Sequence, residues 1–306
     1  MDEEANSIFL LEICVPTYNR SAHLDRVLSG FSQQISHFGL GQQVSLRVSD
    51  NDSTDGTAKV THKWSSLEPS WNFSKQVSNI GADRNYGYLL ERSVAQYVWM
   101  FGDDDELTGE AVLSDVVNVL RSHEPDLMLV IGMANTEDYQ SVVSFAGPKE
   151  FLGFAINRDP DILRRSTWIT ANIMRRSTLD WNSLGGLGEG EYVLPRAIWS
   201  GLRQSHGPIS ILLGQNVQPC VETGFRAEGA FPTHKVLRSE WYRFYSYLAA
   251  EFDEPKLEMY ARKFFQDKPR LVRRFLNKLE TSARISSLGK KICGGRDRRF
   301  GLRAKP

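Results

Sequence analysis

Short apolar runs alternate with helically spaced apolar residues through the first half of the chain, and this alternation limits the fold more than any other feature. The intervening stretches carry the 3.6-residue spacing of amphipathic helices, including one predicted at 89–95. Strands interleaved with helices favour right-handed crossovers between parallel neighbours. We therefore predict an α/β fold with a mainly parallel central sheet and helices on both faces. The predicted strands are residues 8–15, 44–48, 76–78, 97–101, 127–131 and a less regular segment within 164–176.

Three polar clusters each follow a predicted strand, at residues 16–19, 50–55 and 103–105. The carboxyl ends of parallel strands meet at one edge of a sheet, and ligands of open α/β sheets bind beyond that edge. We therefore expect the three clusters to converge on one ligand site.

The strongest chemical signal is the acidic triplet Asp103-Asp104-Asp105, which follows the apolar run YVWMF and Gly102. Three adjacent carboxylates repel one another unless a cation neutralises them. Their hard oxygen atoms suit Mn²⁺ or Mg²⁺, which would also bind a diphosphate. In an extended backbone, Asp103 and Asp105 would share one face and Asp104 would take the other. The alternative interpretation is a solvated acidic turn.

Four segments together resemble a known family. They are CVPTYNR at 14–20, VSDNDSTDGT at 48–57, NIG at 79–81 with Arg84-Asn85, and FGDDD at 101–105. In this order and spacing, over roughly residues 8–135, they resemble family 2 glycosyltransferases with the GT-A fold. Asp, Asn, Ser and Gly are also default turn and cap residues, so the second segment alone would indicate only a turn.

The resemblance implies a nucleotide site at the first three segments. Asp50, or its neighbour Asn51, matches the position that reads the base and the ribose. Arg84 lies in the segment that approaches the nucleotide, with a surface ion pair as its alternative role. The residues that match the loop packed on the base are Pro16, Thr17 and Tyr18.

The same resemblance implies that Asp103 and Asp105 form the metal-binding DxD pair for Mn²⁺ or Mg²⁺, with Asp105 in direct contact. The sequence departs from the common pattern because the middle residue is also Asp. Because this middle residue is acidic, we expect Asp104 to contact the ribose or the sugar of a nucleotide-diphosphate sugar.

Inverting members of the family need a general base that deprotonates the acceptor hydroxyl. Glu191 and Glu189, in the segment GEGEY after a Gly-rich stretch, match its position, with Glu191 slightly favoured. The common Glu-Asp pair is absent, and acidic residues also favour a helix N-terminus for electrostatic reasons. His206 and His234 are further candidates for completing the metal site, although ordinary polar roles are the alternative.

The patterning and the resemblance divide the chain into a GT-A domain at 1–240 and a helical basic C-terminal region at 241–306. The domain comprises a nucleotide-binding half at about 1–135 and an acceptor half at about 136–240. From Lys256 to Pro306 there are 16 Lys or Arg residues against 4 Asp or Glu. A basic amphipathic helix favours an anionic membrane surface. Packing on the catalytic domain is an alternative, and no recognition motif indicates nucleic-acid binding.

Cysteine usage and the ends of the chain bear on location. Cys14, Cys220 and Cys293 lie far apart with no CxxC pair, which argues against a disulfide framework or a structural zinc site. The N-terminus is acidic where a signal peptide is basic, and no apolar run approaches the ~20 residues of a membrane span. We expect a cytoplasmic protein, with its basic region on the inner face of the membrane.

These observations predict an inverting transfer of a sugar from a nucleotide-diphosphate sugar to a hydroxyl of a saccharide or lipid-linked saccharide. The resemblance implies a bacterial lipopolysaccharide, O-antigen or capsule pathway. One alternative is a nucleotidyltransferase, which should carry a Gly-rich, basic phosphate loop after the first strand, where this chain has PTYN at 16–19. The other is a catalytically inactive relative that binds nucleotide sugars.

Overall fold

The computed structural model of this 306-residue chain describes residues 9–132, 141–158, 160–166, 168–180, 193–214, 217–219 and 234–262. The strands are β1 (Leu11–Thr17), β2 (Val44–Asp50), β3 (Asn72–Lys75), β4 (Tyr97–Met100), β5 (Asp105–Leu107), β6 (Leu127–Gly132), β7 (Ser141–Phe145), β8 (Asn172–Arg175), β9 (Ile209–Gly214) and β10 (Val217–Pro219). The helices are α1 (Ser21–Phe38), α2 (Thr57–Leu67), α3 (Ala82–Arg92), α4 (Val112–His123), α5 (Pro148–Asn157), α6 (Pro160–Arg165), α7 (Val193–Gln204), α8 (His234–Glu251) and α9 (Pro255–Ala261).

Eight strands form the central sheet in the order β3-β2-β1-β4-β8-β6-β9-β7. The pairs β1–β2, β1–β4, β2–β3 and β6–β9 are parallel. The strand β8 runs antiparallel between β4 and β6, and β7 is antiparallel to β9 at the edge. The short strands β5 and β10 form a separate antiparallel pair. The expected α/β fold with a mainly parallel central sheet is confirmed.

Helices cover both faces of this sheet because alternate strand residues point to opposite sides. Leu11, Ile13 and Val15 of β1 pack into a core with α1, α2 and α4. Cys14 points to the other face, whose core contains residues from α3 and from α5 to α9. Burial raises the pKa of the Cys14 thiol well above its ordinary value, so this residue is a small core side chain.

Pro16 lies inside β1, whereas the sequence pattern placed it just after the strand. The last register pair between β1 and β4 joins Cys14 to Met100, and beyond it β1 pairs only with β2. A residue without an N–H group is tolerated there because one side of the ladder has already ended.

Three other predicted elements differ in position. The short strand expected at 76–78 is found at Asn72–Lys75, and Val77 is 98% exposed. This strand lies at the sheet edge with little burial, so its sequence carries no apolar alternation. The helix expected at 89–95 begins at Ala82, after Gly81 with a positive φ of 85°. The segment within 164–176 contains only the short strand β8, because a helix and a 3₁₀ turn at Ile169–Ala171 precede it.

The helix α8 packs on the same core as the sheet. Trp241, Phe244 and Tyr245 are buried in this core, and the Tyr245 hydroxyl donates a hydrogen bond to the Leu163 carbonyl. The domain boundary predicted at residue 240 falls inside this helix. Most of the basic C-terminal region, residues 263–306, lies outside the described residues. None of the helices in the described part of the chain combines the length and apolar character that a membrane span needs.

Candidate functional site

A pocket opens beyond the carboxyl ends of β1, β2 and β4. Its walls come from the loop after β1, the turn after β2, the start of α3 and the acidic turn, which we define as Asp103–Asp105. The three polar clusters therefore converge, as the strand pattern predicts. The lining residues are Pro16, Thr17, Tyr18, Arg20, Asn51, Asn79, Gly81, Ala82, Asn85, Tyr86 and Asp103.

The loop after β1 is held in place by the turn after β2. Asn19 has a φ of 53°, in the left-handed region that Asn tolerates better than most residues. Its backbone N–H donates to Ser53 Oγ at 2.8 Å, and its Oδ1 accepts from the Thr54 N–H at 2.8 Å. The Ser21 N–H donates to Asp55 Oδ2 at 2.9 Å. These contacts fix the loop that begins at Tyr18, directly after Pro16 and Thr17 at the end of β1.

The structure gives Asp50 and Asn51 different positions, and which of them reads the base and the ribose stays a prediction. Asp50 is 2% exposed and its Oδ1 accepts from the Ser53 N–H at 2.9 Å, so it shapes the turn from beneath. Asn51 lines the pocket. Its Nδ2 donates to Asn79 Oδ1 and its Oδ1 accepts from the Ile80 N–H, both at 2.9 Å. Asn51 is therefore the member of the pair that a ligand in the pocket would meet.

The acidic turn does not have the extended backbone assumed from the sequence. Residues 103 and 104 form a turn, so the argument from an extended backbone does not apply there, and a shared face for Asp103 and Asp105 stays a prediction. Asp103 accepts from Thr17 Oγ1 at 2.7 Å and from Arg20 Nη1 at 2.8 Å. The same Arg20 nitrogen lies 2.8 Å from Asp104 Oδ2. Asp103 and Asp104 therefore share one guanidinium group.

Asp105 is oriented by Thr170, a residue that the sequence did not single out. Thr170 Oγ1 accepts from the Gly102 N–H at 2.9 Å, so its own hydroxyl proton is directed at the Asp105 carboxylate, with which it makes a short hydrogen bond. The Thr170 carbonyl in turn accepts from Trp99 Nε1 at 2.8 Å. Asp105 also begins β5, where it pairs with Pro219 of β10. No local pattern marks Thr170, because its contact spans 65 residues.

Burial makes the charges of this turn costly. Desolvation raises the pKa of Asp103 to about 6, opposed by Arg20 and assisted by the nearby Asp104 carboxylate. Desolvation likewise raises the pKa of Asp105 to about 7, opposed by the hydrogen bond from Thr170. A cation close to these oxygens would favour the ionised forms.

The donor set fits a hard divalent cation. The described residues contain no group of three His, Cys, Asp or Glu side chains arranged to hold a metal ion. Mg²⁺ commonly uses one or two carboxylates and takes its other ligands from phosphate and water. Asp103, which lines the pocket, and Asp105, two residues further on, supply two carboxylates of the kind that this mode uses. The metal-binding roles of Asp103 and Asp105 stay predictions.

The family model for glycosyl transferase family 2 matches residues 12–167, just over half of the chain. The chain belongs to glycosyltransferase family 2. The match covers the whole pocket and ends before α7. The matched range includes all four segments on which the sequence resemblance rests.

The chain is similar to proteins named as sugar-transferring enzymes. It is 33% identical over 107 residues to the abequosyltransferase RfbV of Salmonella typhimurium, an alignment that spans 34% of this chain and 30% of RfbV. Residues 1–349 of S. aureus TarS, solved with UDP-GlcNAc, share 16% identity and a TM-score of 0.55, over 79% of this chain and 66% of that one. The chain thus spans less than two thirds of either relative.

The match to a second solved structure includes more of this chain. The mannosyltransferase PcManGT from Pyrobaculum calidifontis, in complex with GDP-Man and Mn²⁺, aligns with a TM-score of 0.57 and 13% identity. The match covers 94% of this chain and 81% of that one. At these identities the structural matches show the shared GT-A fold.

The remaining predicted site residues are not brought to the pocket by the described structure. Arg84 is exposed on α3 and is not among the pocket-lining residues. Glu189 and Glu191 lie outside the described residues. His206 follows α7, where its backbone N–H donates to Asp126. His234 begins α8, and its side chain is outside the described part. None of their predicted roles is tested by the geometry.

Gly102→Ala is expected to lower the rate of donor turnover by about 10²-fold, the scale expected when reacting groups are misplaced by an ångström. A Cβ at this position would lie 2.9 Å from Asp105 Oδ2 and 3.1 Å from Asp104 Oδ1, so both carboxylates must move. Release of nucleoside diphosphate measures the effect. The matched control is Gly30→Ala in α1, where an added Cβ has nothing within 4 Å and stability should rise by ~0.5–1 kcal/mol. Equal turnover in the two variants would contradict the expectation.

Proposed function

We propose that this protein transfers a sugar from a nucleotide-diphosphate sugar to a hydroxyl acceptor, with inversion at the anomeric carbon. The observation that carries the proposal is the pocket itself. In a family 2 chain, the loop after β1, the turn bearing Asn51 and the acidic turn meet at the carboxyl edge of the sheet. Ligands of open α/β sheets bind at that edge.

The nucleotide would occupy the side of the pocket away from the acidic turn. Pro16 and Tyr18 offer apolar and aromatic surface that suits a flat base, and Tyr86 lines the same pocket. Asn51 and Asn79 add amide groups that can distinguish donors from acceptors on the base or ribose. Arg84 is exposed on α3 and does not line the pocket, so its proposed contact with the nucleotide rests on the sequence resemblance.

The diphosphate would lie against the acidic turn. Asp105 and Asp103 would hold Mn²⁺ or Mg²⁺, and Asp104 would contact the ribose or sugar. When bound, such a cation would stabilise the negative charge that develops on the leaving nucleoside diphosphate. The complex of PcManGT with GDP-Man and Mn²⁺ supports a divalent requirement in this fold.

The acceptor hydroxyl would attack the anomeric carbon while a carboxylate removes its proton. The bond to the nucleoside diphosphate breaks as the new glycosidic bond forms. Glu191, with Glu189 as the alternative, is proposed for this base because a carboxylate within hydrogen-bond reach of the acceptor is sufficient. The sequence resemblance supports this assignment.

The proposed setting is the assembly of a bacterial cell-surface polysaccharide, with a saccharide or lipid-linked saccharide as acceptor. Similarity to an abequosyltransferase supports a polysaccharide role. A cytoplasmic location, with the basic region on an anionic membrane surface, is a proposal that rests on the charge of residues 256–306. The nucleotidyltransferase alternative is not favoured by the comparisons.

A thermal-shift screen tests the proposed function. We expect nucleotide sugars of one base to raise the melting temperature in Mn²⁺ or Mg²⁺, by an amount equivalent to about 2.7 kcal/mol at a hundredfold excess over Kd. The gain should vanish in EDTA, and the matching sugar 1-phosphate should give none.

Two results of this screen would contradict the proposal. One is the absence of any metal-dependent shift with every nucleotide sugar. The other is stabilisation by a nucleoside triphosphate with a sugar 1-phosphate, accompanied by pyrophosphate release, which would indicate a nucleotidyltransferase. Binding without transfer to any acceptor would instead indicate an inactive relative.

A further inference from the structure

Arg20 lies between the acidic turn and the pocket. Its Nη1 atom is 2.8 Å from Asp103 Oδ1 and 2.8 Å from Asp104 Oδ2. The side chain is 10% exposed and lines the pocket beside Thr17 and Asp103. One nitrogen of a nearly buried cation therefore bridges two of the three carboxylates.

This position brings Arg20 into competition with a divalent cation. A metal ion that binds Asp103 must share its carboxylate with the guanidinium. The two cations would repel each other, and solvent screens this repulsion weakly because the side chains of Arg20 and Asp103 are only 10% and 7% exposed. Arginine stays protonated under all ordinary conditions, so it cannot escape this repulsion by losing a proton. Arg20 must therefore either move away when the metal ion binds or lower the affinity of the site for that ion.

A diphosphate offers Arg20 another partner. Guanidinium groups bind phosphate oxygens through paired hydrogen bonds, as they bind carboxylates. Because Arg20 already lines the pocket, a nucleoside diphosphate bound there would lie within reach of a change in its side-chain rotamer. The carboxylates would then be released to the metal ion.

We propose that Arg20 is an internal counter-ion of the acidic turn. It weakens metal binding until a nucleoside diphosphate binds, and Arg20 then pairs with the diphosphate instead of with Asp103 and Asp104. This inference rests on the proposed function, because it requires a divalent cation and a donor diphosphate at this pocket. Metal and nucleotide then bind cooperatively, and each strengthens the other by the same factor. Arg20 acts as a positioning residue that makes loading of the site depend on the donor.

The test compares Mn²⁺ affinity in the wild type and in Arg20→Gln, by electron paramagnetic resonance of free Mn²⁺. The probe nucleotide is the nucleoside diphosphate of the base that the thermal screen selects, and binding is corrected for the Mn²⁺–nucleotide complex in solution. We expect the nucleotide to tighten Mn²⁺ binding by at least about tenfold in the wild type, within the usual range of coupling. Arg20→Gln should bind Mn²⁺ alone about tenfold more tightly, so the nucleotide should tighten its Mn²⁺ binding by a smaller factor than in the wild type. The part that remains comes from phosphate oxygens that ligate the metal directly.

Two further variants complete the design. Arg26→Gln is the matched control, because Arg26 lies on α1, is 43% exposed and is paired with Glu106 at 3.7 Å. It should bind Mn²⁺ like the wild type. Arg20→Lys keeps the charge but not the fork-shaped donor set, so an intermediate affinity is expected. This variant also carries the test if Arg20→Gln does not fold.

The outcomes separate the two proposals. If the wild type binds Mn²⁺ and the Arg20 variants bind it with the same affinity and the same nucleotide effect, the counter-ion role is wrong and the metal site stands. If neither the wild type nor any variant binds Mn²⁺ with any nucleotide, the proposed metal site is wrong, and the counter-ion role of Arg20 is then wrong as well.

Discussion

Asp105→Asn is expected to lower kcat/KM for sugar transfer by about 10²–10³-fold, the scale seen when one group that stabilises transition-state charge is removed. The substitution removes a negative charge at the position proposed for the cation. It keeps the volume of the side chain and an oxygen that can still accept the hydrogen bond from Thr170. The fold should therefore survive, with a melting temperature close to that of the wild type.

Release of nucleoside diphosphate in the presence of acceptor measures this effect. The matched control is Glu110→Gln, which removes one negative charge from an exposed position in the loop before α4. The control should retain wild-type turnover, because screening weakens the influence of an exposed charge. Undiminished transfer by Asp105→Asn would overturn its assignment as a metal ligand. A similar loss in both variants would point to net charge instead.

The largest expected effect on stability comes from Asp126, which precedes β6. This residue is 9% exposed, and its Oδ2 accepts from Ser205 Oγ, the His206 N–H and the Gly207 N–H at 2.7–3.0 Å. Its Oδ1 lies 3.1 Å from Arg175 Nε of β8. One carboxylate thus ties the loop after α7 to the centre of the sheet.

Asp126→Ala is expected to reduce the free energy of unfolding by about 3–5 kcal/mol, the cost of removing one partner of a buried ion pair. Three donors lose their shared acceptor and the Arg175 guanidinium loses its carboxylate partner. Urea denaturation followed by circular dichroism measures the change. Asp126→Asn keeps one acceptor oxygen and should lose less.

The control for this experiment is Glu258→Gln, which breaks the exposed pair between Glu258 of α9 and Arg262, the residue that follows this helix. Exposed pairs contribute about 0–1 kcal/mol, so the midpoint should hardly change. An Asp126→Ala midpoint as high as that of the control would show that water replaces the lost contacts.

Gly207 is part of the same arrangement. A Cβ on this residue would lie 2.9 Å from both carboxylate oxygens of Asp126, so the close approach of loop and carboxylate requires glycine. The sequence offers no sign of this, since Asp126 and Gly207 are 81 residues apart.

The strand pattern and the resemblance anticipated most of the fold around the pocket. Residues 44–48, 97–101 and 127–131 all lie in strands or at their ends, because buried central strands need continuous apolar runs. The edge strand β3 was not predicted at its observed position, because its side chains are little buried and its sequence therefore shows no apolar alternation. The antiparallel strand β8 was placed too broadly, since a four-residue strand between two helical turns leaves almost no periodic signal.

The candidate site divides in a similar way. Local motifs identified Pro16, Thr17, Tyr18 and Asp103, and all four line the pocket. The sequence could not say whether Asp50 or Asn51 faces the pocket. That depends on the conformation of the turn after β2, which only the folded structure shows. The assumption of an extended backbone at the acidic turn was wrong because β4 ends before it.

The sequence by itself determined the alternation of strands and helices in the first half of the chain, the family, and the convergence of three polar clusters on one edge of the sheet. These follow from local periodicity and from the general geometry of parallel sheets. Only the tertiary structure decided that Arg20 bridges Asp103 and Asp104, and that Thr170 orients Asp105. These contacts join residues 83 and 65 positions apart, and their partners are chosen by packing, which no local pattern records.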